Sequence, residues 1–112
     1  MTNDALVPSL PVLLILRALE AGPAHGYKIA RWIEEQSEQQ FVLKEGTLYP
    51  TLHLLERQGL VQGSWIDNGS RRRMKVYELT SLGRSQLDAE RDRWLKRVAV
   101  AQKVLSREAW AR

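Results

Sequence analysis

Cysteine is absent from the 112 residues, which excludes disulfides, thiolate metal sites and cysteine nucleophiles outright. Histidine is scarce. His25 and His53 stand far apart, with no HExxH spacing and no cluster of carboxylates around either, so no metal is expected. Long apolar runs are also missing: Pro11 to Leu16 is ended by Arg17, well short of the roughly 18 to 20 residues a membrane span needs. The opening MTNDALVPS has neither a basic stretch nor a small-residue cleavage site, so no signal peptide and a cytoplasmic location are expected. A nucleophile elbow, a phosphate-cradling glycine loop and a pair of placeable catalytic carboxylates are all lacking. Neither enzymatic activity nor a cofactor is expected.

What is present fits one folded domain, with 44% hydrophobic and 27% charged residues. Lys and Arg number 17 against 13 Asp and Glu, a formal net charge of +4. That balance suits a polyanionic partner without demanding one.

Leu10 to Leu19 is apolar except at Arg17 and is stopped by Gly22-Pro23, which reads as a buried first helix with Ser9 as its cap and Pro11 in its first turn. Tyr27 to Gln36 sets Ile29, Ala30 and Ile33 on one face of a second, amphipathic helix. Phe41-Val42-Leu43 is β-prone and long enough for a strand stub. Leu48, Leu52 and Leu55 mark a third helix over Glu45–Gln58, with Gly59 as a left-handed stop. Pro50 falls early in it, where a missing N–H costs little. Leu60 to Asp67 and Met74 to Leu79 read as a hairpin joined through Asn68-Gly69-Ser70, and Thr80 caps a long last helix that runs on without Gly or Pro from Arg84 to Ala109.

Three short helices followed by a two-stranded hairpin is the winged helix-turn-helix order, in which the third helix enters a major groove and the hairpin, or wing, reaches along the backbone. The wing carries Arg71, Arg72, Arg73 and Lys75, and residues 68–77 include no acid, Asp67 lying just before them and Glu78 just beyond. Crowded like charges cost stability unless an anion sits beside them, although a solvated charged loop is the plainer reading. The third helix is not basic. Contact with DNA there falls to its first turn, where unpaired backbone N–H groups favour phosphate and Thr47, Tyr49 and Thr51 offer neutral hydrogen-bonding groups. Thr47 and Tyr49 could equally cap and pack the helix.

The blocks Leu13-Leu14-Ile15-Leu16, Gly22-Pro23-Ala24-His25-Gly26-Tyr27, Glu45-Gly46-Thr47-Leu48-Tyr49-Pro50, Leu54-Leu55-Glu56 with Gly59-Leu60, Arg71-Arg72-Arg73 and Tyr77-Glu78-Leu79-Thr80 with Gly83 follow one another over roughly residues 10 to 85. In that order they closely resemble the PadR-like transcriptional regulators, in the short branch that ends after one dimerisation helix. The resemblance implies a homodimer in which each winged helix reads one half-site of operator DNA. By position it assigns Tyr27 and Lys28 to phosphates, Gly46, Thr47, Tyr49 and Pro50 to the reading turn, with Lys44 beside it, and Arg71, Arg72, Arg73 and Lys75 to the wing. Repression of adjacent genes is the regulatory role it suggests.

A last helix of this length outruns what a three-helix core can cover. Its apolar stripe of Leu87, Trp94, Leu95, Val98, Ala101 and Leu105, joined by Leu13 of the first helix, is expected to form the dimer interface. Trp94 either anchors that interface or, as in some short relatives, stacks on a small aromatic effector. The expected organisation is an N-terminal tail at 1–8, a winged helix domain at 9–79 and a dimerisation helix at 80–109. Two other readings compete with it: a MarR-like regulator, which generally carries longer helical extensions at both ends, and a winged helix used only for protein contacts, which leaves the basic wing unexplained.

Overall fold

The computed structural model describes residues 9–67, 69, 72–108 and 110. The expected tail at 1–8, Asn68, Ser70 and Arg71 at the hairpin tip, and Ala109 lie outside the described residues. The elements run α1 (Leu10–Ala18), β1 (Ala24–His25), α2 (Gly26–Gln36), α3 (Glu45–Arg57), β2 (Val61–Asp67), β3 (Arg73–Leu79) and α4 (Ser81–Leu105). The result is a mainly helical winged fold with a small antiparallel sheet in the order β1-β3-β2.

Helix α1 starts where Ser9 Oγ accepts the Val12 N–H at 3.4 Å, with Pro11 in the first turn, where the ring costs no helical hydrogen bond. It gives way at Leu19 to a tight 3-10 turn ending at Gly22. Ile15, Leu16 and Leu19 are fully buried, and α1 packs against α2, α3 and α4, so it is the axis of the core. Ile29 and Ile33 bring α2 onto it, and Leu48, Leu52 and Leu55 bring α3.

Phe41-Val42-Leu43 forms no strand, contrary to its composition. After α2 the chain reverses through two left-handed residues, Glu38 at φ 57° and Gln39 at φ 65°, and Ser37 Oγ accepts the Phe41 N–H at 3.0 Å. This path leads Phe41 and Leu43 into the core, and the segment pairs with none of the described strands. The third strand of the sheet is instead Ala24–His25, which pairs with Tyr77 and Val76 of β3. Two residues give no readable alternation, so only the sheet partner reveals β1.

Gly59 ends α3 as expected. Its φ of 76° lets the Leu60 N–H reach the Leu55 carbonyl at 2.9 Å and its own N–H reach that of Glu56 at 3.0 Å, the Schellman arrangement that favours glycine. The Thr80 hydroxyl then donates to the Gly59 carbonyl at 2.6 Å and accepts the Gly83 N–H at 3.0 Å, so the start of α4 is fixed to the end of α3. The hairpin pairs Val61 with Leu79 through to Asp67 with Arg73. Residues 68–72 therefore join the strands, a longer connection than a tight Asn-Gly turn, with the Gly69 N–H donated to Asp67 Oδ1 at 3.0 Å.

Helix α4 stops at Leu105, short of the Ala109 to which the absence of Gly and Pro let it extend. Its 25 residues span about 37 Å at 1.5 Å each. The first half belongs to the core. Leu87 is 1% exposed and Leu13 9%, so both sit inside one protomer, which corrects their expected place in a dimer interface. Arg91 reinforces this half by donating to both carboxylate oxygens of Glu20, at 3.2 and 3.0 Å, and to Asp88 at 3.0 Å, while Arg17 lies 3.3 Å from Glu20.

These arginines, Arg91 above all through its hydrogen bonds, hold the Glu20 carboxyl below its ordinary value of 4.5. A depressed folded-state pKa means the stabilisation is complete above the ordinary carboxylate range and is lost as pH falls through the folded value. Glu20→Gln is thus expected to lower stability at pH 7 by no more than about 1 kcal/mol, because the cluster is partly exposed. Chemical denaturation at pH 7 and again near pH 3 checks this: the gap between wild type and variant should close in acid.

Candidate nucleic-acid interface

The first turn of α3 projects from the body. Lys44 stands at its N-cap position with an extended backbone, and no side chain caps that end. The leading N–H groups of a helix have no intrahelical acceptor, so an uncapped start presents donors and the positive end of the dipole to the surroundings. Lys44, Glu45, Gly46, Thr47 and Pro50 are exposed. A Cβ at Gly46 would meet nothing within 4 Å, so internal packing does not require glycine there. The capping alternative for Thr47 is not realised.

Tyr49 does pack. Its ring lies so close to Gly26 that a Cβ there would stand 2.8 Å from the ring edge, yet Tyr49 remains 36% exposed. A glycine opening α2 thus lets the first turns of α2 and α3 meet side by side. His25 fixes the orientation of α2, its Nδ1 accepting the Lys28 N–H at 3.2 Å. Lys28 and Tyr27 lie exposed on that turn, and Arg31 donates to the Tyr27 hydroxyl at 3.1 Å with its guanidinium 5.8 Å from the ring centroid. Sequence reasoning did not single out Arg31, although its i, i+4 spacing from Tyr27 and to Glu35 carried the signal.

The wing differs from its expected form at one residue. Lys75 Nζ bonds Glu56 Oε1 of α3 at 3.1 Å, and the amine sits 5.3 Å from the Tyr77 ring centroid. The hydrogen bond to Glu56 raises the Lys75 pKa, so the ammonium is held in this internal pair. Lys75, Tyr77 and Leu79 alternate onto the face of β3 that meets the helices, and this turns Lys75 inward, toward α3. In the protomer Lys75, expected among the DNA contacts, fastens the base of the wing to α3. Arg72 and Arg73 are exposed, and the Arg73 guanidinium stacks 5.4 Å from the ring centroid of Trp65.

On α4 beyond Arg91, Leu95, Val100, Ala101, Val104 and Leu105 are exposed, whereas Trp94 and Val98 are half-buried. Arg93 pairs with the buried Glu90. Trp94 also borders a cleft of about 250 Å³ between α1 and α4, with Leu10, Leu13, Leu14 and Leu95. Among the described residues no three His, Asp or Glu side chains group as a metal site would require, and no helix is long and apolar enough to cross a membrane.

Residues 15–89 match the Transcriptional regulator PadR-like family. An uncharacterized protein of Lysinibacillus sphaericus is 30% identical over 81 residues, covering 72% of this chain and 74% of that one. The fold is similar to a PadR family transcription regulator from Clostridium difficile, at TM-score 0.75 and 29% identity, over 88% of this chain and all of that chain (100%). It is also similar to Bacillus subtilis PadR in complex with operator DNA, at TM-score 0.64 and 23% identity, over 92% of this chain and 50% of that chain.

Proposed function

Because the chain belongs to the PadR-like family of transcriptional regulators, we propose that it binds operator DNA as a homodimer and represses the genes it controls. The family is one of regulators and not of enzymes. The observation that carries DNA binding is that the uncapped start of α3, the start of α2 and the wing strands border one cleft, with the exposed Arg73 stacked on its Trp65 wall. Lys44, Gly46, Thr47, Tyr49 and Pro50 enter a major groove in this reading, Tyr27 and Lys28 meet phosphates, and Arg71, Arg72 and Arg73 follow the neighbouring backbone.

Dimerisation rests on the outer half of α4. Leu95, Val98, Ala101 and Leu105, with Val100 and Val104 widening the face, offer an apolar surface that a second α4 would cover. Winged-helix domains paired in this way address half-sites about 34–36 Å, or one helical turn, apart. Trp94 anchors that interface. The cleft beside it supports a second role, as the seat of a small planar aromatic effector.

Footprinting on the DNA upstream of its own gene tests the proposal, with two protected half-sites about 10 bp apart as the expected result. Uniform weak protection of all sequences would instead mark a non-specific binder. Thr47→Ala is expected to change the ranking of operator variants, each discrimination at the affected base pair shifting by about 1–3 kcal/mol in competition gel shifts. Equal weakening on every sequence would remove Thr47 from base reading.

A further inference from the structure

Trp65 is 58% exposed in the middle of β2, a large apolar ring where a solvent-facing strand would ordinarily place a polar residue. It is not held by the core. Its neighbours are cations, with Arg73 5.4 Å and the Lys75 amine 5.8 Å from its ring centroid. It forms one wall of a cleft of about 260 Å³ whose other sides are His25, Tyr27, Tyr49, Met74 and Tyr77. This cleft separates the start of α3 from the wing.

The position of the cleft matters because α3, as proposed above, enters a major groove while the wing follows the neighbouring backbone, which brings the wing to the adjacent minor groove. The two grooves of a duplex are divided by a single sugar-phosphate strand, which then has to pass between α3 and the wing. From the cleft's aromatic walls, its flanking cations and this place between the two reading elements, we infer that Trp65 is a DNA-contacting residue whose indole face packs on the deoxyriboses of that dividing strand. Arg73 has two tasks in this arrangement: it holds the ring by cation-π contact and keeps a positive charge beside the phosphate that follows. Tyr27 and Tyr49 line the same channel, and tyrosine carries a hydroxyl suited to phosphate oxygens. The contact is to sugar and carries no base preference, so it contributes affinity and register on every sequence. It rests on the proposed DNA-binding function.

Hydroxyl-radical footprinting tests the inference, because the radical attacks deoxyribose and reports sugars that are covered. The probe is a 30-bp duplex from the region upstream of the protein's own gene, bound to full-length protein. Trp65→Ala is expected to lose protection of the sugars between the two grooves, keep the protection centred on α3, and bind roughly tenfold more weakly. Trp65→Phe, which keeps an aromatic face, should retain the protection while abolishing most of the fluorescence change that duplex produces in the wild type. An unaltered footprint in Trp65→Ala, or an unaltered fluorescence change in Trp65→Phe, overturns the inference and leaves DNA binding intact. A wild-type protein that protects nothing on this duplex overturns the DNA-binding function itself, and the inference with it.

Discussion

Changing Arg71, Arg72 and Arg73 together to alanine is expected to weaken binding to all duplexes about equally and to flatten its dependence on salt. Each arginine that neutralises a phosphate releases condensed counterions, and the logarithm of affinity falls with the logarithm of salt in proportion to the number released. Two phosphates per wing, counted over two protomers, give a contribution of about −3.6 to the log-log slope. Between 50 and 200 mM salt the wings alone would then account for about a hundredfold of the lost affinity. Fluorescence anisotropy with a labelled duplex at several salt concentrations measures this directly. Lys75→Met serves as the control, since that ammonium is committed to Glu56 and should move the slope by less than about 1. A triple variant with the wild-type slope would show that the wing does not meet phosphate.

Val98→Asp and Val104→Asp are expected to convert the proposed dimer to monomer. Both positions lie on the outer half of α4, away from the residues that tie this helix to the core, so the fold of each protomer should survive. A carboxylate placed without a partner in a buried interface typically costs about 3–5 kcal/mol, enough to dissociate most dimers at micromolar concentration. Light scattering reads the mass, and circular dichroism confirms that the helices persist. Losing the second half-site removes the avidity of a linked pair, so operator affinity should fall about 10²–10⁴-fold. If Val104→Asp stays dimeric, the interface lies elsewhere than on the outer half of α4.

Most of the winged helix could be read from sequence because its signals are local. Ser9, Thr80 and Gly59 mark ends of helices through hydrogen bonds to residues at most five positions away, and the leucines of α3 repeat at helical spacing. The errors arose where long-range contacts decide. Phe41-Val42-Leu43 is as β-prone as any segment here, but it is drawn into the core and pairs with no described strand, while two unpatterned residues at Ala24–His25 pair with β3. Lys75 looked like part of a basic wing because the distance in sequence to Glu56 conceals their contact in space. Leu87 and Leu95 appeared equivalent along one stripe, until the packing of α1 covered the first and left the second exposed.

The candidate site divides in the same way. The exposed first turn of α3 and the basic wing follow from helix-end signals and charge, whereas the Tyr49–Gly26 contact and the Arg73–Trp65 stack join different elements and become visible only once the chain is folded. Gly26 belongs to the block Gly22-Pro23-Ala24-His25-Gly26-Tyr27. Its physical reason, room for the Tyr49 ring, needed the second helix to be in place.

Titrating a duplex from the protein's own upstream region at low ionic strength, followed by sedimentation velocity, examines the electrostatic pairing of a basic protomer surface with a double helix most directly. Two chains should travel with each duplex, and the complex should dissociate as salt is raised. Protein that sediments as a folded pair while the duplex migrates alone at 50 mM salt would contradict it.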